Sequence, residues 1–473
     1  MKKVLILITC LAPFFLLAQK EVPRPTKAQL GWHEMEFYLF MHFGPNTFTD
    51  LEWGHGNEKE EVFNPTNLDC EQWCRIAKTS GAKGIIITAK HHDGFCLWPS
   101  KFSKHTVRES KWKDGKGDVL KELSAACKKY GLKFGVYISP WDRNHPDYGT
   151  EKYNDVFVNM MKEIFTNYGP IWELWWDGAN GEGPNGKKQL YDWQRFEETV
   201  RELSPNTVVF SDIGPDVRWC GNEDGIAGVT NWNMLDTAGF TRGAGAPKQD
   251  VLNGGNENGK NWIPAECDVS IRPGWFYHKA EDSKVKTPKQ LFDLYLKSVG
   301  RGANLLLNVP PDGRGLITAY DSVALVGFNK LRSKNLVKNL FKNAATYHLF
   351  HGILKKAPAL SDGNCKTVEP VTEAVQESVG VELKLKKNTK VNCIVLKEDL
   401  SNGQHCSKFK LLLFNSKDKL IKEIYGTTIG KKRIITFPAV YINTIELTIE
   451  EQSGSTGISE IEAYLIDEKL IEK

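Results

Sequence analysis

Ile171-Trp172-Glu173-Leu174-Trp175-Trp176-Asp177-Gly178 reads as a buried strand that ends abruptly in one acid followed by glycine. Apolar runs of this kind recur on either side of it: Phe37 to Phe43, Gly84 to Ala89, Phe134 to Ser139, Val208 to Ile213, Cys267 to Ile271 and Leu305 to Val309. Between them lie stretches of helical period, at Asp69 to Ser80, Val119 to Tyr130, Tyr153 to Tyr168, Leu190 to Leu203 and Pro288 to Val299. Short apolar runs alternating with amphipathic stretches are the signature of repeated β/α units. Their number predicts a closed (β/α) barrel of the TIM type rather than an open Rossmann sheet, and no GxGxxG follows the first strand.

Barrel enzymes place their chemistry at the C-terminal ends of strands. Here those ends are polar. The first ends in His42, the second runs into His91-His92-Asp93, and the third carries Tyr137 and leads to Trp141-Asp142-Arg143. The fourth ends in Asp177, and later ones in Asp212, Glu266-Cys267-Asp268 and Asn308. A single polar end is a loop, whereas a set converging on one face is a pocket.

After about Ala345 the pattern changes to short alternating segments. Val381 to Leu385, Val391 to Leu396, Lys408 to Phe414, Arg433 to Phe437 and Thr444 to Ile449 predict an antiparallel β-sandwich over 346–473, after a barrel over 19–345. Its strands carry no clustered carboxylates or histidines, which points to an accessory role. The start, Met1-Lys2-Lys3, an apolar run to Leu17 and then Ala18-Gln19-Lys20, has the form of a cleaved secretory leader over 1–18. The expected location is therefore periplasmic or secreted. Cys10 lies too early in the apolar run, behind Thr9, for a lipoprotein anchor to be the better reading.

The 473 residues carry 62 basic and 58 acidic side chains, a formal charge of +4, so no electrostatic footprint for nucleic acid or an anionic membrane exists. Removing the leader leaves nine of the ten cysteines, an odd number that implies no disulfide framework. Cys70 and Cys74 sit one helical turn apart without a supporting Cys/His cluster, and read as buried thiols rather than ligands. The 14 Trp, 14 Tyr and 23 Phe offer flat apolar faces that suit sugar C–H surfaces as well as a core.

Asp177 could simply cap the following helix. The flanking tryptophans and the histidines at other strand ends favour chemistry instead. Cleaving a glycosidic bond needs two carboxyl groups, roughly 5 to 5.5 Å apart when configuration is retained. Asp177 is the candidate nucleophile. Glu223, in Arg218-Trp219-Cys220-Gly221-Asn222-Glu223, sits in a glycine-rich loop after the fifth strand and is the candidate general acid, with Trp219 beside it to disfavour its charged form. Glu266 is the alternative acid/base. His42, His91 and His92 could be read as zinc ligands, yet imidazoles that exchange hydrogen bonds with sugar hydroxyls fit better among so many rings. No metal or organic cofactor is required by this chemistry.

Met41-His42-Phe43-Gly44, Glu52-Trp53-Gly54, Thr88-Ala89-Lys90-His91-His92-Asp93-Gly94-Phe95, Phe134-Gly135-Val136-Tyr137, Trp176-Asp177-Gly178 and Asn308-Val309-Pro310-Pro311-Asp312-Gly313 together resemble the family 29 α-L-fucosidases. The resemblance implies a retaining exo-glycosidase that passes through a covalent fucosyl-enzyme on Asp177. It also implies sugar-binding roles for His42, Glu52, Trp53, His91, His92, Tyr137 and Trp175. Arg218-Trp219-Cys220-Gly221-Asn222-Glu223, Trp98-Pro99-Ser100 and Arg272-Pro273-Gly274-Trp275-Phe276 are similar to the branch acting on α-1,3/1,4-linked fucose, which adds Arg218 and Trp275 to the substrate contacts and favours Glu223 over Glu266. The C-terminal part resembles a galactose-binding-like sandwich. Fucosylated oligosaccharides or glycoprotein glycans are the partners implied; broad or α-1,2 preference, and a fucose-binding protein without catalysis, are the alternatives.

Overall fold

The computed structural model describes residues 22–350, 353–371 and 380–471. The expected leader, 1–18, lies outside them. Eight parallel strands form the closed barrel: β1 (Phe37–Met41), β2 (Gly84–Lys90), β3 (Lys133–Ile138), β4 (Glu173–Trp175), β5 (Val208–Ser211), β6 (Val217–Trp219), β7 (Ala265–Ser270) and β8 (Asn304–Asn308). Each pairs with its neighbours in chain order, and β8 closes on β1 through Phe37 opposite Leu305. The strand that the sequence reading missed is β6. It is three residues long and centred on an arginine, so it has no apolar run to announce it.

Period-two alternation divides the strand side chains between two cores. Tyr38, Phe40, Ile86, Tyr137, Trp175, Phe210, Val217 and Leu306 fill the barrel bore. Leu39, Met41, Ile85, Ile87, Leu174 and Trp176 pack outward against the helices. The outer ring includes α1 (Cys70–Ser80), α2 (Val119–Tyr130), α3 (Glu151–Asn167), α4 (Trp193–Leu203), α5 (Pro288–Lys297) and α6 (Ala319–Asn335). Asp69 caps α1 by accepting from the Gln72 N–H, and Gly81 ends it in the left-handed region at φ 77°. Asp118 and Gly131 bracket α2 in the same way. The helix α6 packs on α5 and on α1, which closes the ring. Its sequence shows no clean stripe because Tyr320 and Val323 face solvent while Ala324, Leu325 and Phe328 are buried.

The C-terminal part is an eight-stranded antiparallel sheet. Two long strands run through it, β11 (Gly380–Glu398) and β14 (Arg433–Gln452), after the hairpin β9 (Ala345–Phe350) and β10 (Ile353–Lys356). The others are β12 (Cys406–Phe414), β13 (Leu420–Gly426), β15 (Gly457–Tyr464) and the short Glu369–Pro370. The sequence reading split both long strands in two. The polar stretch Lys386-Lys387-Asn388 caused this in β11, and there the ladder shifts register rather than stopping. The start of β14 also ties the two parts together, since Ile434 donates to the Gly300 carbonyl at 2.8 Å and Lys432, just before the strand, pairs with the half-buried Glu36. Among the described residues no helix is long and apolar enough to cross a membrane. The nine described cysteines carry free thiols, all buried except Cys365, and Cys74 faces Cys127 across α1 and α2 with their sulfurs 3.8 Å apart.

Candidate active site

Asp177 lies two residues beyond Trp175, on the bore-facing side at the C-terminal mouth of β4. Its Oδ1 accepts from the Ala179 N–H at 2.7 Å, which fixes the turn, and its Oδ2 accepts from the Tyr137 hydroxyl at 3.0 Å. The His92 Nε2 stands 3.8 Å from the same oxygen. The Tyr137 ring stacks on Trp175 with centroids 5.3 Å apart, and Trp175 stacks in turn on Phe210 at 4.0 Å.

Asp177, Tyr137, His92 and Trp175 line a cavity of about 180 Å³ with Phe40, His42, Glu52, Trp53, His91, Ala179, Glu223, Asp268 and Trp275. A second cavity of about 290 Å³ shares Trp175, Asp177, Ala179, Glu223 and Asp268 and adds Gly178, Phe210, Asp212, Trp219 and Ala246. Trp53 stands half exposed at the mouth of the first, edge-on to His92 and to Trp141.

The three histidines are neutral at physiological pH because burial disfavours their charged forms. It pulls His42 down to about 3 and His92 to about 4, and pushes His91 well below its ordinary value. For His42 the tautomer follows from its neighbour. The Asn308 amide nitrogen donates to the Trp275 carbonyl and the Ser270 hydroxyl, so its oxygen accepts from His42 Nδ1 at 2.8 Å, leaving Nε2 as an acceptor. His91 Nδ1 and Asp268 Oδ1 are buried without a hydrogen-bond partner, although both residues line the cavity. Unpaired polar atoms at a pocket wall are places for a hydroxylated ligand. Burial, then the charges of Cys220, Glu223 and Glu266, push the Asp268 carboxyl well above its ordinary value. Among the described residues no three potential ligands form a metal-sized group.

Three site expectations need correction. Arg218 does not reach the pocket: Val217 faces the bore, so Arg218 points outward, fully buried, and donates to the carbonyls of Leu252 at 2.7 Å, Trp232 at 3.0 Å and Ile263. Glu266 lies one barrel layer below Asp268, inside the bore, where Tyr38 and the Trp175 Nε1 (2.8 Å) donate to it and Glu173 is its carboxyl neighbour. Burial pushes both carboxyls of that pair up, and neither lines the cavity. Glu223 follows β6 rather than β5, is exposed, and takes a hydrogen bond of 3.1 Å from the Trp275 indole rather than shelter from Trp219. Asp268 carries no role in the sequence reading, though its place at a strand end marked it, and its even spacing from Glu266 puts it one step nearer the mouth.

A closed β/α barrel whose mouth gathers an anchored carboxylate, a second, exposed carboxyl, neutral imidazoles and indole faces is the architecture of a carbohydrate-cleaving hydrolase. Residues 29–331 match the family described as alpha-L-fucosidase. The Arabidopsis thaliana alpha-L-fucosidase 1 is 38% identical over 94% of this chain and 88% of its own length. A crystal structure of a glycoside hydrolase 29 family member from a rumen bacterium is 39% identical, with a TM-score of 0.82 over 94% of this chain and 78% of that one. A Ruminococcus gnavus fucosidase of the same family, solved in complex with fucose, is 30% identical, with a TM-score of 0.85 over 95% of this chain and 96% of that one. The chain belongs to the α-L-fucosidase family, glycoside hydrolase family 29.

Proposed function

We propose that this α-L-fucosidase works with retention of configuration, through an ester between Asp177 and the sugar. An Asp177 oxygen attacks the anomeric carbon as the bond to the departing sugar oxygen breaks, and Glu223 supplies the proton that oxygen needs. Glu223 then takes a proton from water, the hydroxide displaces Asp177, and free fucose leaves with the carboxylate restored. The observation that carries this reading is that Asp177 is anchored at both oxygens while Glu223 shares both cavities with it. His42, His91 and the buried Asp268 supply hydrogen-bonding groups for ring hydroxyls, and Trp53 and Trp275 supply flat faces.

The larger cavity, which extends the shared wall of Asp177 and Glu223 past Asp212, Trp219 and Ala246, supports a preference for bulky branched acceptors, hence α-1,3/1,4-linked fucose. A panel comparing Lewis-type trisaccharides with 2′-fucosyllactose tests this by free fucose released; equal or faster release from the latter contradicts it. Glu223→Ala should harm such oligosaccharides far more than aryl fucosides, whose leaving groups need little protonation. Azide, attacking the fucosyl-enzyme in place of water, should rescue it as the α-fucosyl azide of retained configuration, and wild-type rates would remove Glu223 from the mechanism. The leader-like start supports export, which amino-terminal sequencing of the mature protein checks: an intact Met1 speaks against it.

A further inference from the structure

The loop after β7 returns to the pocket as Arg272-Pro273-Gly274-Trp275-Phe276-Tyr277-His278, and a carboxylate from another loop sets its path. Glu52, on the loop after β1, accepts from the Trp275 N–H at 2.8 Å with one oxygen and from the Phe276 N–H at 3.1 Å with the other. Gly274 makes the close approach possible, since a Cβ there would lie 2.6 Å from Glu52 Oε1 and 2.9 Å from the His278 ring. His278 closes the arrangement with Nε2 2.6 Å from Glu52 Oε1 and Nδ1 2.6 Å from Asp50 Oδ1.

An imidazole with a carboxylate at each nitrogen needs both protons, so this pairing is that of an imidazolium. Partial burial pulls the His278 pKa down, but hydrogen bonds and charge from Asp50 and Glu52 outweigh it and leave it above the ordinary value. Those two carboxylates face it from the first loop; on its own loop Lys279 follows, and Glu281 is turned to the Gly274 N–H at 3.0 Å. At the other end of the loop the Trp275 indole donates to Glu223 at 3.1 Å. Glu52, expected among the sugar ligands, is thus also the anchor of the loop that meets the acid.

We propose that His278 is a positioning residue that clamps Glu52 onto the 274–278 loop and thereby holds the Trp275 indole against Glu223. The proposal rests on the reading of Glu223 as acid/base. It ties proton donation, rather than sugar recognition, to a histidine outside the cavity wall.

Two aryl α-L-fucosides of like shape, 4-nitrophenyl and 4-methoxyphenyl, separate the roles through kcat/KM. His278→Ala should lower the value for the poorer leaving group about tenfold and for the better one by less than about twofold. His278→Gln, whose amide reaches Glu52 alone, should recover part of the loss. The wild-type advantage on the poor leaving group should shrink as pH rises through the His278 pKa, because the clamp needs the charged ring. In a Glu223→Ala background, His278→Ala should have no further effect. Equal losses on both fucosides, no loss on either, or a full effect in the Glu223→Ala background overturns the clamp. If Glu223→Ala itself fails to discriminate between the two fucosides, the acid assignment falls and the clamp with it, a pattern distinct from failure of His278 alone.

Discussion

Lys90→Met should destabilise the barrel mouth by about 3 kcal/mol, the low end of the about 3–5 kcal/mol typical of breaking a buried ion pair. Lys90 ends β2 immediately before His91 and His92, and its ammonium lies 3.3 Å from Asp142 on the loop after β3, with both side chains at most 1% exposed. Asp142 also accepts from the N–H groups of Asn144 (2.9 Å) and His145 (2.8 Å) and from the Tyr153 hydroxyl (3.2 Å), which is why the low end applies. Burial alone would raise the Asp142 pKa, but Lys90 and the two backbone donors outweigh it and hold the carboxyl below its ordinary range. Methionine keeps the stem and removes the charge, so the carboxylate is left without its counterion. Urea unfolding followed by tryptophan fluorescence reads the loss. The double variant with Asp142→Asn should be more stable than Lys90→Met alone, since the orphaned charge is gone. In the wild type the Asp142 contribution is complete above the unfolded carboxylate pKa and fades as pH falls through the depressed folded value. In Lys90→Met the gap to wild type should therefore narrow in acid. A loss below about 1 kcal/mol at neutral pH, or a double variant as unstable as the sum of the singles, refutes the reasoning.

Arg218→Met should cost about 3 kcal/mol through buried carbonyls left without donors, read by thermal unfolding, and raise KM less than about twofold; a large KM effect with intact stability would make Arg218 a substrate contact after all. Trp53→Ala should raise KM about tenfold with little change in kcat, because it removes a ring from the mouth and nothing from the reacting centre. Glu36, pushed up by burial but pulled down further by Lys432 to about 2 from 4.5, should contribute stability above 4.5 that is lost as pH falls toward 2. Glu36→Gln should flatten the acid limb of stability against pH, and an unchanged limb would contradict the assignment.

Most of the barrel could be read from the chain because its strands are buried on both sides and so appear as apolar runs. Where a strand is short and carries a buried cation, as in Val217–Trp219, that signal vanishes, and the outward turn of Arg218, a substrate contact by resemblance alone, cannot be counted along an unrecognised strand. Glu266 and Asp268 share a face, and only the depth of the pocket decides which of them a ligand can meet. The extent of β11 and β14 was hidden because polar residues at a register shift look like a turn. The placement of Asp177, His42, His91 and His92 at the barrel mouth was legible because a strand end marks position in the fold as well as in the sequence. The His278 contact with Glu52 spans 226 residues of sequence, and no local pattern could have announced it.

Incubating the enzyme with a fluorinated fucosyl fluoride, which slows release of the sugar from the enzyme, and mapping the labelled peptide by mass spectrometry addresses the central claim directly. A single fucosyl adduct on Asp177, in the peptide containing Trp175-Trp176-Asp177-Gly178, is the expected result. An adduct on any other residue, or an inverted product seen by NMR as hydrolysis proceeds, would contradict it.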